Sequence, residues 1–166
     1  MKLKSIAALT ALSLGALAAQ ATTTDLGALG STIVTSGGVA TSLGSLINDN
    51  FTFSLSTAST VQSSVSTFLG NINPSFYGIY TAGLDNIVGN ADDFQIVGHG
   101  FSSGNFDTLS AGDYYFKVFG LSNTTLSAYS IAAAATAVPV PEPETYAMLG
   151  AGLAAIGFVV SRRRRD

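Results

Sequence analysis

The sequence predicts an all-β domain, a small antiparallel β-sandwich of jelly-roll type, set between two segments that stand outside the fold. Three observations predict it. Apolar and polar residues alternate with period two in several runs. Clusters of Gly, Asn, Asp and Pro separate those runs at short intervals. Between residues 22 and 137 no stretch carries a convincing helical periodicity. At 166 residues the chain holds one domain of ordinary size. Its composition suits that class: 47% is apolar and only 10% charged, and there are 18 glycines, against a usual charged share of about 25%.

The N-terminal segment is an export signal. Lys2 and Lys4 precede an apolar run from Ile6 to Ala18, and Ala19-Gln20-Ala21 supplies small residues in an A-x-A arrangement. Charged, apolar and small regions in that order make a secretory signal peptide. A membrane anchor is the alternative reading, but the run falls short of the roughly 20 residues that span a bilayer, and Thr22-Thr23-Thr24-Asp25 follows at once. Residues 1–21 are therefore expected to form a signal-peptide helix that engages the Sec translocon and is removed by signal peptidase.

Residues 22–137 are the expected exported domain. Phe51, Phe53 and Leu55 alternate with Thr52, Ser54 and Ser56 in a strand with one buried face. Val61, Ser63 and Val65 repeat that spacing, and Phe94 and Ile96 suggest another strand. Between Asp113 and Gly120, Tyr114, Phe116 and Val118 fall on one face and Tyr115, Lys117 and Phe119 on the other. A last strand runs from Leu126 to Ala133, and the four alanines at 132–135 read as its end passing into a linker. Turns are expected at 70–74, 85–86, 89–93, 98–100 and 103–105, all rich in Gly, Asn and Asp.

This domain offers little for catalysis. It has no cysteine, which excludes disulfides and thiolate chemistry. Its single histidine, His99, has no second His for a zinc site, and between two glycines it reads as a surface-loop residue. No G-x-S-x-G nucleophile elbow occurs. Seven aspartates against one base, Lys117, give the domain a net charge of −6, which excludes binding to nucleic-acid phosphates. No enzyme and no cofactor are expected. The exception to weigh is Asp85, Asn90, Asp92 and Asp93, whose oxygens on a glycine-containing loop are a candidate calcium site; the same residues are ordinary turn formers. Asp92 and Asp93, being adjacent, point to opposite sides of a strand and cannot serve as an acid/base dyad. Tyr77, Tyr80, Tyr114, Tyr115 and Tyr129 could stack on sugar rings, although a domain without Trp must also fill its core with Phe and Tyr. Asn50-Phe51-Thr52 and Asn123-Thr124-Thr125 fit the N-x-[ST] pattern.

The C-terminal segment has three parts. Residues 138–144 form a stiff stalk, because each proline fixes its own φ and extends the residue before it. Residues 145–161 are read as a transmembrane helix, some 16 residues reaching about 24 Å, slightly short of a typical hydrocarbon core. The cluster Arg162-Arg163-Arg164-Arg165, in residues 162–166, would remain cytoplasmic by the positive-inside rule, leaving the sandwich outside.

Pro141-Glu142-Pro143, a short apolar helix and terminal arginines, in that order, resemble the PEP-CTERM sorting signal of Gram-negative bacteria. The resemblance implies recognition by exosortase, a membrane protease-transpeptidase, with processing near the Pro-Glu-Pro. It also implies an inner-membrane stage before release to the envelope or matrix, in bacteria that typically make exopolysaccharide. Asp49 with Phe51-Thr52-Phe53, and Ala111-Gly112-Asp113-Tyr114-Tyr115 leading to Gly120, resemble the FxDxF group of such proteins, with Ile47 where the group has its first Phe. That resemblance carries no biochemical activity. A structural or adhesive matrix protein is the resulting expectation, with a carbohydrate- or calcium-binding module as the alternative.

Overall fold

The computed structural model describes residues 21–139 and 143–163. Its strands are β1 (Thr23–Ala28), β2 (Val34–Ala40), β3 (Leu46–Leu55), β4 (Ser59–Leu69), β5 (Ile72–Thr81), β6 (Phe94–Gly100), β7 (Ser102–Leu109), β8 (Gly112–Ser122) and β9 (Ser127–Ala137), followed by a helix, α1 (Pro143–Arg163). The strands form a five-stranded sheet, β1-β3-β8-β5-β6, and a four-stranded sheet, β2-β9-β4-β7. β1 runs parallel to β3, and the other pairings are antiparallel. The pairs β2·β9, β3·β8, β4·β7 and β5·β6 nest one inside the next, like one long hairpin rolled into two layers. That is the jelly-roll arrangement the sequence predicts. β1 is an addition to it, pairing with what would otherwise be the bare edge of β3.

The alternation read in the sequence is what fills the core. Phe51, Phe53, Tyr77, Ile79, Phe116 and Val118 of the five-stranded sheet meet Val61, Val65, Tyr129, Ile131 and Ala133 of the four-stranded sheet. Phe53 stacks on Phe116 with ring centroids 4.5 Å apart, and Phe51 meets Tyr129 across the layers edge to face at 6.4 Å.

Two expected turns are strands. Gly98-His99-Gly100 belongs to β6, with His99 opposite Tyr77. Ser103-Gly104-Asn105 belongs to β7. The chain crosses from one sheet to the other through Phe101 alone, so the glycines mark a corner between strands rather than a loop. A bulge makes that corner: Ser63 pairs with Asn105 and Val65 with Ser102, leaving two residues opposite Ser64, and Gly104 takes φ +77°. The turn expected at 70–74 is shorter than predicted, because β5 already begins at Ile72.

The alanines at 132–135 lie well inside β9, which is hydrogen-bonded on both sides, to β2 and β4. Alanine favours helix, but two-sided pairing overrides that preference, and Ala133 and Ala135 are buried in the core between the sheets. At the C-terminus the expected helix is present and longer than 145–161, with Pro143 in its first turn, where a missing N–H costs nothing. Among the described residues no helix is long and apolar enough to cross a membrane. The predicted span lacks that support because its apolar stretch, 146–160, reaches only about 22 Å and is diluted by small residues. The described side chains Tyr146, Met148, Leu149, Leu153, Ile156 and Phe158 are exposed.

Replacing Ala133 by Leu should lower the urea midpoint by the equivalent of about 1–3 kcal/mol, through overpacking. The neighbouring, half-buried Ala132→Leu should stay within about 0.5 kcal/mol. Equal effects at both positions would contradict the inward placement of Ala133.

Candidate functional site

The most built-up surface lies on the outer face of the five-stranded sheet, beneath the segment joining β5 to β6. Tyr115 points outward from β8, yet only 1% of it is exposed, because residues 82–93 fold back over it. Asp93 secures that fold. Its Oδ2 accepts hydrogen bonds from the Gly89 amide at 2.6 Å, the Asn90 amide at 3.1 Å and the Tyr115 hydroxyl at 2.5 Å. Gly89, at φ +90°, passes directly over Asn50, where a Cβ would stand 3.0 Å from the side-chain amide. Burial, reinforced by the bond to Asp93 and its charge, holds the Tyr115 hydroxyl well above the ordinary tyrosine range. Tyr80, stacked on Tyr115 at 5.3 Å, is also raised by burial.

The four candidate calcium ligands share one loop; several of their oxygens accept from donors of that loop, while Asp93 Oδ1 is buried with no hydrogen-bond partner among the described residues. Asp85 accepts from the Ile87 amide at 2.9 Å and from Asn90 Nδ2 at 2.7 Å. Asp92 accepts from the Leu84 amide at 3.2 Å, and Asn90 Oδ1 accepts from the Asp92 amide at 3.3 Å. Among the described residues no group of three or more His, Asp or Glu is placed to hold a metal. The loop satisfies its own backbone, which is the turn-forming use of Asp and Asn.

The secured loop becomes one wall of an open cleft of about 530 Å³. The floor comes from β1, β3 and the start of β8, with Asp25, Thr52, Ser54, Asp113 and Tyr114; Ala82, Asn86 and Val88 face them from the loop. Asp25 Oδ1 accepts from the Gly27 amide at 2.9 Å and from the Thr52 hydroxyl at 3.1 Å. Asp113 makes no side-chain hydrogen bond or ion pair among the described residues. Sequence reasoning did not single out Asp25 or Asp113 as a pair. They are 88 positions apart, and only the strand order β1-β3-β8 brings them to the two sides of β3.

His99 is not a surface-loop residue. Its Nε2 lies 2.9 Å from Asp107 Oδ2, joining the two sheets at the β6–β7 corner, with 17% and 15% of the two side chains exposed. Beside it the Tyr77 hydroxyl accepts from Asn105 Nδ2 at 2.6 Å and meets Ser63 Oγ at 3.1 Å. Ser63 is buried, so the cluster offers no accessible nucleophile. Of the five tyrosines considered for sugar stacking, Tyr77, Tyr115 and Tyr129 are buried, leaving Tyr80 and Tyr114 partly exposed. The Tyr129 hydroxyl donates to Asp49 Oδ2 at 2.5 Å, and the Thr22 hydroxyl donates to Oδ1 of the same carboxylate. Burial and the Asp49 carboxylate raise Tyr129 far above its usual range. Asn50, the first sequon asparagine, is only 2% exposed.

Of the sorting residues, Pro141, Glu142, Arg164 and Arg165 lie outside the described residues, as does Ala19 of the cleavage site. Pro143, Arg162 and Arg163 lie in α1, where the Arg162 guanidinium sits 5.7 Å from the Phe158 ring centroid. Ala21 is exposed.

Residues 139–165 match the family model of the PEP-CTERM protein-sorting motif. The match covers the tail, so the FxDxF likeness rests on the residues quoted for it. No curated protein matches the chain. Solved structures with similar strand arrangement include the pre-peptidase C-terminal domain of collagenase from Bacillus anthracis, at 14% identity over 68% of this chain and 95% of that one, TM-score 0.45. Others are PliG from Aeromonas hydrophila, a periplasmic inhibitor of g-type lysozyme, at 12% identity over 69% and 97%, TM-score 0.45, and the Yersinia pseudotuberculosis-derived mitogen, at 14% over 68% and 91%, TM-score 0.44. At these values nothing is transferred from those proteins.

Tyr115 and Tyr129 both have folded-state pKa values raised above the unfolded one, so their contribution is complete below about pH 10. It is lost as pH rises further, because the unfolded chain releases protons that the folded one retains. Urea unfolding should show stability falling above about pH 10 by up to about 1.4 kcal/mol per pH unit for each tyrosine, and Tyr129→Phe should flatten the fall. A level profile from pH 8 to 11.5 would contradict the burial of these hydroxyls.

Proposed function

From the PEP-CTERM protein-sorting motif that this chain carries at residues 139–165, we propose that it is an exported substrate of exosortase, held at the inner membrane by its tail and then released to the cell envelope or extracellular matrix. There the jelly roll serves as a structural or adhesive, non-catalytic body in an exopolysaccharide or biofilm layer. The motif match is the observation that carries the reading. In the proposed sequence of events the helix is a temporary tether, the prolines present an extended backbone to a protease cleft, and the arginines stop translocation and orient the tail C-in.

The geometry of the two domain ends suits such processing. β9 ends at Ala137, and the last backbone tie is the Val138 amide to the Ala58 carbonyl at 2.9 Å. A cut near Pro-Glu-Pro therefore removes no strand. At the other end the Thr22 carbonyl accepts from the Asn50 amide at 2.7 Å, so removal of residues 1–21 also leaves β1 paired. A net charge of −6 over residues 22–137 keeps the body soluble and away from nucleic acid.

The intact mass of the protein recovered from its native host tests this. The expected mass lacks residues 1–21 and the tail beyond the Pro-Glu-Pro. A mass that retains residues 145–166 would contradict exosortase processing.

A further inference from the structure

The cleft beneath the β5–β6 loop is large, lined by both polar and apolar groups, and built from parts distant in sequence. Its volume, about 530 Å³, lies within the 300–1,000 Å³ typical of small-molecule sites. Its chemistry is one-sided. Asp25 on β1, opposite Thr52, and Asp113 on β8, opposite Ser54, stand on either side of β3, two strand spacings across and two residues along, or roughly 12 Å apart, with the Thr52 and Ser54 hydroxyls between them and the Asn86 amide on the opposite wall. Among the described residues no Lys or Arg lines it. The domain's one lysine, Lys117, is directed elsewhere, its ammonium 5.9 Å from the Tyr80 ring centroid. Tyr114, stacked on Phe53 at 5.7 Å, adds an apolar surface beside the polar groups.

These features select among ligands. Two carboxylates without a cation repel uronates, sulfates and phosphates. A divalent metal wants six or more converging oxygens, and the carboxylates on opposite sides of β3 do not converge. Hydroxyls, an amide and an aromatic surface suit a hydroxylated ring, and the carboxylates suit an ammonium group on it. We infer that this cleft binds an amine-bearing saccharide, a segment of a partly or fully deacetylated hexosamine polymer, with Asp25 and Asp113 receiving its ammonium groups and Thr52, Ser54 and Asn86 its hydroxyls. The inference gives the adhesive reading above a site, and rests on that reading for the ligand being met outside the cell.

Calorimetric titration of the full chain, purified in detergent, with a hexamer of β-1,4-linked glucosamine tests it at mildly acidic pH. The expected result is saturable binding that weakens at least about tenfold in Asp25→Asn/Asp113→Asn. Asn at position 25 can still accept from Gly27 and Thr52, so the fold is retained. Ala82→Arg, which places a cation in the cleft without deleting a hydrogen bond, should abolish binding. Absence of saturable heat, or undiminished binding in both variants, would overturn the site. Equal affinity for the fully acetylated hexamer would overturn the role of the amine, and equal affinity for spermine would overturn saccharide recognition. Tail processing does not enter this experiment, so it can fail while the mass measurement succeeds, and the reverse.

Discussion

From β2 to β9 each strand finds its antiparallel partner by one rule, the outermost with the outermost and the innermost with the innermost. This nesting is the constraint on which the molecule depends. It makes β4, β5, β8 and β9 interior strands, and the face-to-face burial of alternate residues in the two sheets is the main source of stability. It also sets what each end of the sandwich can carry. At the end where β3, β5 and β7 finish, the β3–β4 and β7–β8 links are only three and two residues long, while twelve residues join β5 to β6. The long link is the only one of the three with enough chain to fold over the sheet.

What it does there follows from an unusual charge economy. With seven aspartates, one lysine and one histidine in the exported domain, ion pairing is scarce and the acids act instead as hydrogen-bond hubs. Asp49 receives two hydroxyls, Asp93 two amides and a hydroxyl, and Asp107 meets His99. Each hub joins segments far apart in sequence: Asp49 ties Thr22 and β9 to β3, and Asp93 ties the loop to β8. Charge-assisted bonds of this kind are stronger than neutral ones, and they turn a polar loop into a fixed wall. Asp113, which has no such partner among the described residues, faces the cleft that the wall encloses.

Much of the frame was legible in the sequence, because one buried face per strand leaves a period-two signature. β3, β4, β6, β8 and β9 were read from it. β1, β2, β5 and β7 were not. Four of the seven residues of β2 are Gly, Ser or Thr, so its alternation is faint; β1 depends on a partner 27 residues away. In β5 and β7, Asn73-Pro74 and Ser103-Gly104-Asn105 look like turns, whereas they are the start of a strand and a bulge. The tail was legible as a motif because its three parts are contiguous. The cleft was not, since its residues come from positions 25, 52–54, 82–88 and 113–115 and meet only through strand order. The loop's richness in Asp and Asn was visible, but the same composition serves metal binding and turn formation, so it did not reveal the path that Asp93 gives the loop over Tyr115.

The account stands on the loop being a fixed wall rather than a free connection. Amide hydrogen exchange on the full chain measures that directly. The Gly89 and Asn90 amides, at the tip of an otherwise exposed loop, should be protected along with those of β3 and β8, and should lose protection in Asp93→Ala while the strands keep theirs. If those two amides exchange freely in the parent protein while the strands remain protected, the wall does not exist and the cleft is not a site.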